Sequence, residues 1–206
     1  MHIIRSKNAL QWGSLDLPLF GISGDYFKKR IEPPAAWSLA IDADRLWFVA
    51  SHGSPAQLHP DARPGLFLEN LWQHDVAELF LADPTSGRYL EFNLAPNGAW
   101  WSCEFTEARR QATPQNLAPP GVVSHAELSP DGGWVAALSV PLDLLRDRIG
   151  FGENTHANVT FILNSPEQQF LTASDLGNGE PDFHQPARFP RLTFIDADLS
   201  GLSGTA

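Results

Sequence analysis

Two carboxylates, Glu78 and Glu91, lie on either side of a turn signal, each inside a run that alternates along the chain. Residues 76–81 set Val76, Glu78 and Phe80 against Ala77, Leu79 and Leu81. Residues 88–94 set Tyr89, Glu91 and Asn93 against Leu90, Phe92 and Leu94. A period of two is the mark of a strand with one buried face, so the two runs predict a hairpin. Glu78, Tyr89, Glu91 and Asn93 then share its second face, where opposed side chains touch. A pair of carboxyls can serve as acid and base in glycoside hydrolysis at a defined separation. Carboxylates on a sheet face more often orient a ligand by hydrogen bonding, and that is the reading favoured here. Three tryptophans flank the hairpin. A sugar lays its C–H face on an aromatic ring while its hydroxyls bond to polar groups around it. Trp72, after a long loop and followed by Gln73, His74 and Asp75, suits such a platform, with His74 beside it. Trp101, whose pleat partners are Cys103 and Phe105, reads as core, and Trp100 fits either role.

Other chemistry finds less support. The seven histidines (2, 52, 59, 74, 125, 156 and 184) form no HExxH motif and no pair at tight ligand spacing. Haem would need axial His or Met; Met1 is the single methionine, which leaves a two-His arrangement. There is no GxSxG, no His beside Cys103 in sequence, and no glycine-rich loop that opens a helix. Asp42 with Asp44, or Asp175, Asn178, Glu180 and Asp182, could hold a structural Ca²⁺, although such clusters are more often solvated turns. No cofactor is expected beyond such an ion.

The elements that must position these groups are strands. The chain has 206 residues, 43% hydrophobic and 18% charged, with seven Trp and thirteen Phe. That composition supplies a sizeable core and fits one β domain spanning 1–206. A formal charge of −10, with no basic cluster denser than Lys28, Lys29 and Arg30, disfavours nucleic acid and anionic membrane. No apolar run reaches the roughly eighteen residues of a spanning helix. The single cysteine excludes an internal disulfide, and MHIIRSKNALQWG has no apolar signal region, so a cytoplasmic protein is expected.

Strands are predicted at residues 37–41, 46–51, 99–105, 122–128, 134–140, 157–164 and 192–195, besides the central hairpin. Turn signals punctuate them: Asp83, Pro84, Thr85, Ser86 and Gly87; Ala95, Pro96, Asn97 and Gly98; Ser129 to Gly133. Residues 52–70 lose all apolar period amid Gly and Pro, and long loops of this kind tend to be functional. Residues 141–149 carry a helical period between Pro141 and Gly150, which predicts one short connecting helix. The expected architecture is all-β: an antiparallel sandwich, partly Greek-key, with its core at 37–195, an N-terminal extension at 1–36 and a tail at 196–206.

Trp72-x-x-Asp75-x-x-Glu78-Leu-Phe-Leu, followed by Tyr89-x-Glu-Phe-Asn93 and Pro96-Asn-Gly, resembles the type 9 carbohydrate-binding modules and the wider DOMON-like superfamily of β-sandwiches. The likeness extends to WVAALSVPLDLL (134–145), the Asn-containing strand at 158–164, and Phe189-Pro-Arg-Leu192. It implies a non-enzymatic, stand-alone module that takes a small saccharide or sugar-containing metabolite between two aromatic rings, with a carboxylate fixing its hydroxyls. Trp72 matches the platform and Glu78 the carboxylate, while Glu91 or Asn93 occupies a further ligand position. The second wall, a late-loop Trp in the family, has no Trp counterpart; Phe183 or His184 in PDFHQP takes that place. Trp100 completes the expected contact set. The alternatives are a hydrolase using Glu78 and Glu91, a haem or redox DOMON-type module, and a protein-interaction scaffold.

Overall fold

The computed structural model describes residues 1–116, 118–164 and 167–196; the expected tail after residue 196 lies outside the described residues. In chain order the strands are β1 (His2–Arg5), β2 (Phe20–Gly24), β3 (Arg30–Ile41), β4 (Arg45–His52), β5 (Val76–Ala82), β6 (Tyr89–Leu94), β7 (Trp100–Glu107), β8 (Arg110–Gln111), β9 (Val123–Leu128), β10 (Trp134–Pro141), β11 (His156–Leu163), β12 (Gln169–Thr172) and β13 (Thr193–Asp196). Helix α1 (Leu142–Ile149) and two 3-10 turns, Leu71–Gln73 and Pro186–Arg188, stand among them. The first sheet runs β13-β1-β3-β4-β10-β9 with β2 also on β3, and the second runs β12-β11-β5-β6-β7-β8. The expected β-sandwich with one short helix is what the chain forms.

Two features of the first sheet depart from the expectation. β1 lies parallel to both β13 and β3, in an otherwise antiparallel arrangement. The segment before residue 37 is no extension, because β1 and β2 both pair with β3. Its strands escape the sequence pattern for a physical reason. Ile3 faces the inter-sheet core while its neighbour Ile4 is buried on the other side, so the alternation that marks a half-exposed strand is absent.

Between the sheets, the inward sets of the central hairpin, Ala77, Leu79, Leu81 and Leu90, Phe92, Leu94, meet Leu39, Phe48, Leu138, Phe161 and their neighbours. The turn joining β5 to β6 is built by Asp83, whose carboxylate accepts from the backbone N–H of Thr85 and from the Ser86 hydroxyl. Gly98, with φ of 84°, closes the next turn, and a Cβ there would press on Ala126 as well as strain the backbone. α1 buries Leu142, Leu145 and Ile149 and ends at Gly150, a left-handed residue whose N–H donates to the Arg146 carbonyl.

A second apolar layer lies on the outer face of the second sheet. There Val76, Phe80, Tyr89, Trp101, Cys103 and Phe105 are buried together with Tyr26, Ala62, Leu71, Leu176, Phe183 and Phe189 from loops that cross the sheet. On the opposite side of the molecule, Leu10, Trp12, Leu15 and Leu17 strap the outer face of the first sheet, over Trp47, Val49 and Ala40.

Candidate carboxyl site on the covered sheet face

The hairpin register places the site. Glu78 on β5 is opposite Asn93 on β6, and Asn93 is opposite Trp101 on β7; on its other side Glu78 faces Thr160 of β11. Glu91 belongs to the next row, between Phe80 and Cys103. The two carboxyls are therefore diagonal neighbours on paired strands, pointing to the same face. That face is not open. Glu78 is 3% exposed, Glu91 5% and Asn93 1%, because the loop residues of the second apolar layer cover it. A solvent-open polar face is what alternation alone predicts; the long loops overturn that expectation by bringing their own apolar side chains onto the sheet.

Burial decides the charge state of the pair. Thr160 Oγ1 donates to Glu78 Oε2 at 2.7 Å, yet desolvation outweighs this bond and pushes Glu78 up to about 7. Glu91 is raised well above the ordinary carboxyl range by desolvation first and the Glu78 charge second, with the Asn93 amide and Arg109 pulling the other way. Both carboxyls therefore hold a proton more tightly than an exposed carboxyl does, and they titrate as a pair.

A chain of hydrogen bonds runs from the surface toward this pair and stops one gap short of it. The Arg109 backbone N–H donates to Tyr89 Oη at 3.0 Å, and Tyr89 Oη lies 2.7 Å from His184 Nδ1. Since the hydroxyl already accepts from Arg109, its own proton points to His184 Nδ1, which assigns the imidazole N–H to Nε2. That Nε2 is 3.8 Å from Glu91 Oε2. His184 is held neutral, pushed down to about 4 by burial first and by Arg109 second, with Asp182 opposing. Arg109, in the left-handed region at φ 62°, also pairs its guanidinium with Asp182 at 2.8 Å in the open. Burial raises the Tyr89 hydroxyl as well. Phe105 stacks on the Tyr89 ring at 4.7 Å and meets His184 edge-on at 5.2 Å, which fixes both rings.

Several buried polar atoms near this row lack a hydrogen bond among the described residues: both amide atoms of Asn93, Trp101 Nε1, and His74 Nδ1. Groups of this kind are costly unless something pairs with them. Free hydrogen-bonding capacity thus remains beside the carboxyl pair.

Of the eight residues expected to form the site, the fold gathers Glu78, Glu91, Asn93 and His184. Trp72, on the 3-10 turn Leu71–Gln73, stays 52% exposed. His74 is half-buried with its ring against His59, centroids 5.0 Å apart. Trp100 is not a site residue: it points between the sheets and belongs to the main core. Phe183 is buried in the cover against Tyr26 and Phe170 and forms no open second wall. Trp101 is buried as expected, but on the site's face and with its indole N–H free. Thr160 and Arg109 were not anticipated. The outward set of the 157–164 alternation includes Thr160; nothing local marks Arg109, which reaches the site through the β7–β8 turn. Among the described residues no group of three or more His, Cys, Asp or Glu is arranged to hold a metal. Asp42 instead caps its own turn, accepting from the N–H groups of Leu10, Asp44 and Arg45.

A separate cleft of about 570 Å³ lies on the inner side of the same sheet, lined by Leu90, Phe92, Glu104, Arg148 and prolines 114, 119 and 120. Glu104 there is paired with both Arg88 and Arg148. No helix among the described residues is long and apolar enough to cross a membrane.

Searches against family models and curated proteins found no match. Solved structures do resemble the chain. A Bacteroides uniformis protein provisionally assigned to carbohydrate binding superposes with a TM-score of 0.71 at 15% identity, covering 95% of this chain and 98% of the other. A family 9 carbohydrate-binding module from Caldicellulosiruptor kristjanssonii, in complex with cellotriose, gives 0.63 at 10% identity over 100% and 98% of the two chains. A family 9 module from the same organism, in complex with glucose, gives 0.61 at 13% identity over 96% and 97%. The shared property is the fold, that of the family 9 carbohydrate-binding modules.

Proposed function

We propose that this chain is a carbohydrate-binding β-sandwich module that takes a small saccharide on the outer face of the β5–β6 hairpin and does not transform it. The ligand stacks on Trp72 and bonds to Glu78, Glu91, Asn93 and His74. The observation that carries this reading is Trp72: a tryptophan 52% exposed beside a row of buried polar groups whose hydrogen bonds are incomplete. The likeness in fold to modules solved with cellotriose and with glucose supports it. Because the carboxyls are covered, binding at them requires the segment carrying Phe183 and His184 to move aside. The ion pair that anchors that segment among the described residues, Arg109–Asp182, is exposed, and exposed pairs contribute little.

Calorimetry with glucose and cellotriose tests the proposal. We expect saturable binding that is lost in Trp72→Ala, with the variant's unfolding free energy within about 0.5 kcal/mol of the parent, since an exposed side chain supports little packing. Absence of binding to either sugar and to a wider panel of mono- and disaccharides would reject it. Release of reducing sugar from an oligosaccharide, abolished in Glu78→Gln, would replace binding with the hydrolase alternative.

A further inference from the structure

The ligand class can be narrowed from the charges on this face, granting that the face is a saccharide site. Glu78 and Glu91 are both buried, and among the described residues no Lys or Arg lies within ion-pair distance of either. Arg109, whose charge reaches Glu91, is engaged by Asp182, and among the described residues the one basic group within 4 Å of Glu91 is the neutral His184, at 3.8 Å. Cys103, opposite Glu91 on β7, keeps its thiol protonated through burial. The face therefore has two carboxyls whose counter-charge, Arg109, acts from beyond ion-pair distance and is shared with Asp182.

It also has a third acceptor with nothing to accept. Asn93, opposite Glu78 and two residues along from Glu91, is 1% exposed; its amide lies close enough to Glu91 to favour the carboxylate, yet neither Oδ1 nor Nδ2 has a partner in hydrogen-bond geometry among the described residues. Two carboxyls and one amide oxygen thus form a triangle of acceptors on two paired strands. A primary ammonium presents three N–H donors from one atom. A neutral hydroxyl offers one donor and no charge, so it would leave the pair as poorly compensated as it is now. The remaining free groups, Asn93 Nδ2 and Trp101 Nε1, are donors suited to ring hydroxyl oxygens.

We infer that the site is built for an amino sugar, a saccharide with a free primary amine, whose ammonium sits between Glu78, Glu91 and Asn93 in the place toward which His184 Nε2–H now points. His184 is then a stand-in donor, released from Tyr89 when the cover moves. Binding shifts the carboxyl pair toward its ionised form and so expels protons, because the ammonium supplies a counter-charge for one carboxylate.

The test is calorimetry of the whole chain at pH 7 with D-glucosamine, D-glucose and N-acetyl-D-glucosamine, each in two buffers of different ionisation heat. Glucosamine should bind at least roughly tenfold more tightly than the other two, the value of one charge-assisted bond. Its binding alone should release protons. In Glu91→Gln, checked for folding by its melting transition, the glucosamine preference should collapse. Should that variant not fold, the N-acetyl comparison and the proton count still decide, since acetylation removes the charge at the same position. Glucose binding as tightly as glucosamine, or glucosamine binding without proton release, would overturn the amine assignment and leave the saccharide module standing. No binding by any of the three, nor by cellotriose, would bring down both.

Discussion

Among single residues, Glu78 is the most informative, because its carboxyl has two environments with different proton affinities. In the folded chain burial raises it to about 7, from 4.5 in an exposed reference. A carboxyl raised on folding binds protons more tightly in the native state. Its contribution is thus full below about 4.5 and is lost as pH rises through about 7. Glu91 acts in the same direction, and His184 in the opposite one, its native-state contribution falling as pH drops from 6.5 toward 4. His52, His125 and the N-terminal amine are lowered too and oppose the carboxyls over part of the range from pH 6.5 to 8, so the difference between parent and Glu78→Gln, in which those contributions cancel, isolates the carboxyl. Urea unfolding should show stability declining from pH 6.5 to 8. Glu78→Gln, which has no charge to desolvate, should flatten the decline and leave the variant more stable than the parent at pH 8. The full Glu78 effect is on the order of 3 kcal/mol between the acid and alkaline limits. A parent whose stability does not fall relative to Glu78→Gln over this window would show that the pair is not desolvated in solution.

The β5–β6 hairpin and the long loop leading into it are coupled through one side chain. Asp75, buried at the start of β5, accepts from the backbone N–H of Gln57 at 3.0 Å and of Asn164 at 2.7 Å, and from the Asn164 side chain at 3.2 Å. A second bond links Gln57 to the Asn164 carbonyl. The loop at 53–70 is therefore tied at its first third to the end of β11, which is what holds Ala62 and Leu71 over the sheet. Asp75→Ala leaves these N–H groups without their acceptor and should cost roughly 2 kcal/mol or more in urea unfolding. The same variant should be cut faster by protease within 53–70 than the parent, since the tie that closes the loop is gone. Equal cleavage rates would mean that apolar contacts alone secure it. The Trp72 turn lies downstream in the same segment, so the tie also positions Trp72.

At the level of the whole molecule the sandwich is closed by strands from the two ends of the described chain. β1 lies between β3 and β13, with Ile4 against Ala40 and against Ile195 in register, so removing it detaches β13 and leaves β3 without its partner on that side. Ile3 and Ile4 are both buried, one in each of two apolar layers. Deleting residues 1–5 should thus lower stability by roughly 4 kcal/mol or more, the burial of two isoleucines at about 2 kcal/mol each, before the lost ladder is counted. The checking measurement is the midpoint of urea unfolding. A midpoint unchanged by the deletion would show that the parallel pairing is dispensable.

What the sequence determined by itself is what depends on neighbours along the chain. Alternation in residues 76–81 and 88–94, and turn chemistry at Asp83 and Gly87, set the hairpin, its inner and outer faces, and the grouping of Glu78, Glu91 and Asn93. The helix between Pro141 and Gly150 was legible for the same reason. The tertiary structure alone decided what lies above those faces. A pattern of two says that a residue leaves the inter-sheet core; it carries no term for a loop arriving from a hundred residues away. So Phe183 could be read as an open wall when it is part of a cover, and Trp100 as a ligand contact when the pleat turns it inward. The charge state of the carboxyl pair follows from that cover, because the energy of a buried charge depends on what excludes water from it, and distant segments do that here.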